Sequence, residues 1–353
     1  MKPQKIFKML IWIAASLGAV FFLLPKTQLQ PKFLKHTEYK PLYGTTVKLD
    51  VCYIPEEEEE LKPAFAEAWK KLESIQEEMN VFNEQSELAD INRSYPEAIQ
   101  VSEDMYRILQ QSLYYNQLTG GMFDVTVWPL IKLWKKAAKE NRYPTTEELA
   151  AVRSRIGSKN IELPGEIRVR LKNADVKIDL GGIGAGFAAD EAAKIFRTHG
   201  FANFLVDAGG DMFAGGSNCE GKKWRIGIND PRDKAKFVDV VELSDMAVST
   251  SGNYEQYFEI QGERWSHIIN PVTGYPQRGV ASATLIAPRG IDVDAVATAL
   301  CVWDARTAIA FVDKMGPEWA SVIFSGETDE GLIRTESKNY NRYKSKSKQS
   351  GDF

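Results

Sequence analysis

Val176-Lys177-Ile178-Asp179-Leu180-Gly181-Gly182-Ile183-Gly184-Ala185-Gly186 is the stretch on which the fold turns. It reads as a strand over 176–180, a glycine-rich turn, and the approach to a helix over 187–198. Glycines let a phosphate-bearing ligand approach the backbone, and the first turn of a helix offers N–H donors to its charge. Gly184, Gly186 and Ala189 match the G-x-G-x-x-A dinucleotide spacing. Asp207 then closes the next strand where a ribose-binding acid would stand, which is the pattern of a nicotinamide-dependent oxidoreductase. Against that reading, the unit occurs once, in mid-chain, and lacks the strands of a doubly wound sheet. Asp179 also places a charge just before the turn. Tight helix–strand packing with no ligand accounts for the glycines as well.

Upstream, alternation predicts a strand over 45–53. Leu61, Phe65, Ala68, Trp69, Leu72 and Ile75 then fall at helical spacing, behind a run of glutamates at 56–60 that suits a solvated first turn. Further helices are expected over 102–118, ending at Gly120-Gly121, and over 129–139 and 145–155. Downstream come strands near 204–207, 224–228, 237–243, 254–260, 265–269 and 281–287. Helices over 293–302 and 305–314 follow, then a last strand near 320–324. Helices come first and strands later, without sustained βαβ alternation, so the expected class is α+β with a mostly antiparallel sheet.

The 353 residues are 44% hydrophobic and 26% charged, enough for one large domain or two small ones. A formal net charge of −4 gives no reason to propose a nucleic-acid partner. Cys52, Cys219 and Cys301 are widely spaced and odd in number, so neither a disulfide framework nor a zinc site is indicated. With only three histidines, any metal would sit on oxygen ligands, which favours a hard cation such as Mg2+.

The chain divides into residues 1–25, 26–40, 41–326 and 327–353. In the first, Lys2, Lys5 and Lys8 precede an apolar run over 9–24 closed by Pro25. That is an export signal, read as an uncleaved membrane anchor in preference to a cleaved signal peptide because no small-x-small site follows. A linker, a catalytic domain and a polar, frayed tail come after it.

Two further places carry chemistry. Asp294 and Thr298 stand four apart, so they share one face of a late helix whose start is expected near Asp294. A carboxylate and a hydroxyl form part of an oxygen shell that substrate phosphate and water can complete; an N-cap is the plainer use of such an Asp. Ser249-Thr250-Ser251-Gly252 can donate to phosphate oxygens. His267, ahead of Asn270-Pro271-Val272-Thr273-Gly274, is a base or a residue that holds the turn.

In this order, with Tyr43-Gly44-Thr45-Thr46, Ser86-Glu87-Leu88, Gly120-Gly121-Met122-Phe123-Asp124-Val125-Thr126 and the Gly209-Gly210 pair, these segments resemble the ApbE family of FAD:protein FMN transferases. The resemblance covers about residues 40 to 325 and implies the ApbE-like α+β fold. It also implies transfer of FMN from FAD to a threonine or serine of a partner protein, with Mg2+ and release of AMP. Carried over, Asp294 and Thr298 are the side-chain metal ligands, with the carbonyls of Ala297 and Gly182 as further ones. Tyr43, Phe82, Met122, Phe123, Asp124, Asp179, Ala185 and Ile269 fall at FAD-contacting positions, and His267 lies beside the phosphates as the proposed base. The implied partner is a flavoprotein subunit of a membrane redox complex, met at the extracytoplasmic face. Family members often have methionine in place of Tyr43, a lysine or acid in place of Ala185, aspartate for Asn270 and arginine for Val272. The loss of polar groups at Ala185 and Asn270 puts the rate in question. It leaves open an FAD-binding or FAD-delivery protein, or an FAD pyrophosphate hydrolase.

Overall fold

A computed structural model describes residues 32–253, 257–326 and 331–346. The apolar run over 9–24 lies outside the described residues. Among the described residues no helix is long and apolar enough to cross a membrane.

β1 (Leu34–Leu42) and β2 (Thr45–Tyr53) form a hairpin whose two-residue turn, Tyr43-Gly44, has φ of 56° and 73°. Positive φ at both positions matches the right-handed twist of the strands. The stretch read as a linker therefore carries a strand from Leu34 onward. α1 (Glu58–Met79) follows, then α2 (Glu87–Arg93), capped by Ser86, β3 (Ala98–Gln100), and α3 (Glu103–Leu118), capped by Ser102. Next are α4 (Trp128–Lys139), α5 (Thr146–Arg153), β4 (Ile161–Gly165), β5 (Arg168–Leu171) and α6 (Gly184–Thr198). The strand-rich half runs through β6 (Asn203–Ala208), β7 (Met212–Gly215), β8 (Trp224–Asp230), β9 (Asp233–Leu243), β10 (Met246–Gly252), β11 (Tyr257–Ile260), β12 (Glu263–Ser266) and β13 (Val280–Ala287). It ends with α7 (Gly290–Val302), α8 (Ala305–Met315), β14 (Ala320–Ser325) and β15 (Ile333–Glu336).

The main sheet has the order β1-β2-β6-β7-β10-β13-β14-β15, and each neighbouring pair is antiparallel. Both faces are covered. On one, Val47, Leu49, Val51, Phe204 and Leu285 pack with the apolar sides of α1, α6 and α7. On the other, Val248, Ile286 and Val322 pack under the β8–β9 hairpin with Trp224 and Tyr340. Burial on both sides explains why β13 is an unbroken buried run where one wet face would impose alternation.

Three expectations are corrected. Residues 176–180 belong to no ladder. Instead the Asn92 side chain takes the place of a neighbouring strand: Ile178 N–H donates to Asn92 Oδ1 (2.7 Å), and Asn92 Nδ2 donates to the Ile178 carbonyl (2.9 Å). Without a strand there, and with an antiparallel sheet, the described residues contain no parallel βαβ unit for a nicotinamide cofactor. Secondly, Cys52 and Cys219 form a disulfide. They are 167 positions apart, but β2 sets Cys52 opposite Asn203, and Asn203 Oδ1 accepts from the amide and hydroxyl of Ser217. The loop after β7 is thereby folded back over Cys52, a closeness that spacing along the chain does not reveal. Cys301 stays outside the disulfide and is buried, its thiol donating to the Ser251 carbonyl (3.4 Å). Thirdly, the tail read as frayed contributes β15 on the edge of the sheet, and Tyr340 is fully buried beneath it.

Candidate functional site

The site is set by two buried helices that cap each other. Asp190, on α6, accepts from the amides of Gly290 (2.6 Å) and Ile291 (3.0 Å) at the start of α7. Asp294, on α7, accepts at Oδ2 from the amide of Gly186 (2.9 Å) in the first turn of α6. Each helix thus supplies the carboxylate that satisfies the other's unpaired N–H groups and favours its dipole. The exchange requires close approach, and Gly186 and Gly290 permit it: a methyl on either would overlap the other's carbonyl. Asp294 is therefore in the second turn of its helix, which begins at Gly290, and the helix it caps is α6. Thr298, one turn on, donates to the Asp294 carbonyl (3.1 Å). Gly182 sits beside it, where a Cβ would stand 3.3 Å from Thr298 Oγ1 and 3.5 Å from Phe123. Further support comes from Asp292, which binds Tyr115 and Arg289 at the buried start of α7.

This corner opens into a cavity of about 510 Å³, a size suited to a small-molecule ligand. Of the residues singled out from sequence, Tyr43, Phe82, Met122, Phe123, Asp124, Asp179, Gly182, His267, Ile269, Asp294 and Thr298 line it. Ala185 and Ala297 do not: Ala185 is half-buried in the first turn of α6, and the Ala297 side chain is fully buried in the core. Asp124 is in the wall, but its carboxylate is engaged by the amides and hydroxyls of Thr126 and Ser158 and by Asn116 Nδ2 (2.6–3.2 Å). It organises the loop. Tyr43 likewise donates its hydroxyl to the Leu72 carbonyl, and burial raises its pKa. Asp179 accepts from the Gly181 amide (3.0 Å); burial pushes its carboxyl up, against the pull of that amide and of Lys135.

His267 lies on the wall just after β12, and the turn beyond it is held by Asn270. Asn270 Oδ1 accepts from the amides of Val272 (2.9 Å) and Thr273 (3.1 Å). An aspartate oxygen would accept the same bonds, so asparagine leaves the turn intact. Asp207, the acid of the nicotinamide pattern, accepts from the Gly209 and Gly210 amides and shapes their positive-φ turn.

Sequence reasoning named Phe82 but missed the α4 side chains that join it in the cavity wall. Trp128, Ile131 and Lys135 project from one side of α4 into it, while Leu130, Trp134 and Ala137 fill the core on another side. The signal was present as a second stripe at i, i+3, i+7 spacing. Phe82 meets Trp128 edge-on with centroids 5.2 Å apart and is 72% exposed, so its face is open to a ligand. Ser249, Thr250, Ser251 and Gly252, at the end of β10, also line the cavity.

Among the described residues no three His, Cys, Asp or Glu side chains converge as a metal cage. One carboxylate and one hydroxyl beside a glycine backbone suit a hard cation that takes its other ligands from water and substrate oxygens.

The model of the ApbE family matches residues 43–323. An FAD:protein FMN transferase from Vibrio cholerae is 30% identical over 311 residues, covering 87% of this chain and 92% of that protein. Among solved structures, the flavin transferase ApbE from Vibrio cholerae superposes with a TM-score of 0.77 at 28% identity, over 88% of this chain and 99% of that one. The ApbE protein of Thermotoga maritima superposes with a TM-score of 0.79 at 31% identity, over 89% of this chain and all of that one.

Proposed function

This chain belongs to the ApbE family and is an FAD:protein FMN transferase, and we propose that it acts by a single in-line displacement at the corner where α6 and α7 cap each other. The observation that carries this is the placement of Asp294 and Thr298 on the cavity wall beside Gly182. These residues would hold Mg2+, with the Gly182 and Ala297 carbonyls as candidates for the remaining protein oxygens. Bound there, the ion would neutralise the diphosphate of FAD and the phosphate that leaves.

The chain's own residues do the rest. Phe82 and the α4 stripe take up an aromatic ring of FAD, and the hydroxyls at the end of β10 donate to phosphate oxygens. The acceptor's threonine or serine oxygen attacks the FMN phosphorus, and the phosphoanhydride bond breaks with its electron pair leaving on AMP. His267 takes the hydroxyl proton. Asn270, which keeps the neighbouring turn in place, supports this role without a charge of its own.

The test combines purified protein, FAD, Mg2+ and a candidate acceptor domain, and measures acceptor mass. One added FMN is expected, lost with chelator and reduced at least about 100-fold in Asp294→Ala, since even indirect disturbance of a metal ligand costs about 10- to 100-fold. AMP and free FMN with unmodified acceptor would make the enzyme a hydrolase; bound FAD with neither product would make it a carrier.

We place the enzyme at the extracytoplasmic face of the membrane, anchored by its first residues and acting on a flavoprotein subunit of a membrane redox complex. The apolar run over 9–24 and the Cys52–Cys219 disulfide support this, because such bonds persist in oxidising compartments. Unfolded without reductant, protein recovered from cells should expose one reactive thiol, Cys301, and flavinylated acceptor should sediment with membranes. Three reactive thiols, or a soluble acceptor, would contradict that placement.

A further inference from the structure

Lys135 belongs to the α4 stripe, but its charge has no role in the chemistry described so far. It lies on α4 two turns after Trp128, exposed, at the rim of the cavity. Its ammonium is held over two aromatic faces, 5.4 Å from the centroid of Phe82 and 5.2 Å from that of Trp128. Aromatic faces attract a cation but leave its N–H donors free to bond elsewhere. Asp179 lines the same cavity, near enough for the two charges to influence each other.

FAD offers two rings to such a place. The diphosphate is drawn to the Asp294 corner, so a cation at the aromatic rim acts on a ring. Adenine has no carbonyl groups. Isoalloxazine has an imide edge, C2=O, N3–H, C4=O, that alternates acceptor, donor and acceptor and gathers negative charge when the ring is polarised or reduced. An ammonium and a carboxylate that line one cavity complement that edge, and the apolar wall of Phe82, Trp128 and Ile131 suits a three-ring system.

We propose that Lys135 is a specificity-determining residue for the flavin half of FAD, donating to a carbonyl of the isoalloxazine imide edge while Asp179 accepts from N3–H. This deepens, and rests on, the reading of the cavity as an FAD site. A positive charge at that edge also tunes the ring's electronics, which gives a readout that packing alone does not move.

The experiment titrates FMN and ADP separately onto the full chain and onto Lys135→Met and Lys135→Arg, following calorimetry and the visible flavin band. Lys135→Met should weaken FMN about tenfold and leave ADP within about twofold, the size of one charge-assisted hydrogen bond. It should also abolish the shift of the visible band on binding, and Lys135→Arg should restore most of both. Unchanged FMN affinity, an equal loss for ADP, or a band shift that persists in Lys135→Met would overturn the proposal. These outcomes are separable from the underlying reading. Wild-type protein that transfers FMN while Lys135→Met binds it normally defeats the lysine's role alone, whereas wild-type protein with no flavin affinity defeats the site.

Discussion

The two ends of the cavity are built in opposite ways. At the corner proposed for the phosphates the decisive atoms are backbone amides, one carboxylate and one hydroxyl, fixed by helices that cap each other across a glycine contact. At the rim proposed for the ring they are side chains on the surface of α4 and on the loop after α1, with Phe82 largely in solvent. The first arrangement ties chemistry to stability, because the carboxylate that faces the cavity also satisfies a buried helix start. The second lets ligand preference vary without touching the core.

The largest effect expected from this contrast is at Gly186. Alanine there overlaps the Gly290 carbonyl and forces α6 from α7, so stability should fall by about 1–3 kcal/mol in urea melts, with FMN transfer falling alongside. Full stability with full activity would break the idea of a tight crossing. Thr298→Ala separates metal from fold. The Mg2+ concentration for half-maximal rate should rise about tenfold, as for loss of one hydrogen bond to a charged group, at constant melting temperature; an unchanged metal titration would remove Thr298 from the ligand set. Phe82→Ala probes the ring end: KM for FAD should rise about three- to tenfold with little change in kcat or melting temperature. A fall in stability would show that the two ends are not built differently after all.

The smallest effect concerns Asp190. Burial raises its carboxyl to about 6 from the ordinary 3.8, despite the two amides it caps. The folded state holds that proton more tightly than the unfolded chain, so this group's contribution is fully present below about pH 3.8 and is lost as pH rises through about 6. Asp190→Asn should flatten the decline of stability over that window, measured by urea unfolding at stepped pH. An unaltered slope would assign the decline to other carboxyls.

Much of this was legible in the sequence because it rests on period and spacing. The core face of α1, the antiparallel class and the pairing of Asp294 with Thr298 on one helix face all follow from residues a few positions apart. What was hidden depends on distant partners. Asn92 stands in for a strand beside Ile178, 86 positions away, so the segment looked like sheet. Asp294 looked like the cap of its own helix because the amide it caps, that of Gly186, lies 108 positions earlier. Cys52 and Cys219 meet only through the register of β2 on β6. The Trp128, Ile131 and Lys135 stripe lay within reach of periodicity, but a second apolar side on a helix announces a cavity only once the first is known to face the core.

A crystal of the protein with FAD and Mg2+ puts the central claim to its most direct test. The account predicts an octahedral ion, with ligand distances of about 2.1 Å, joining Asp294 and Thr298 to the FAD diphosphate. An FAD molecule whose diphosphate lies away from α6 and α7, with only water at Asp294, would contradict it.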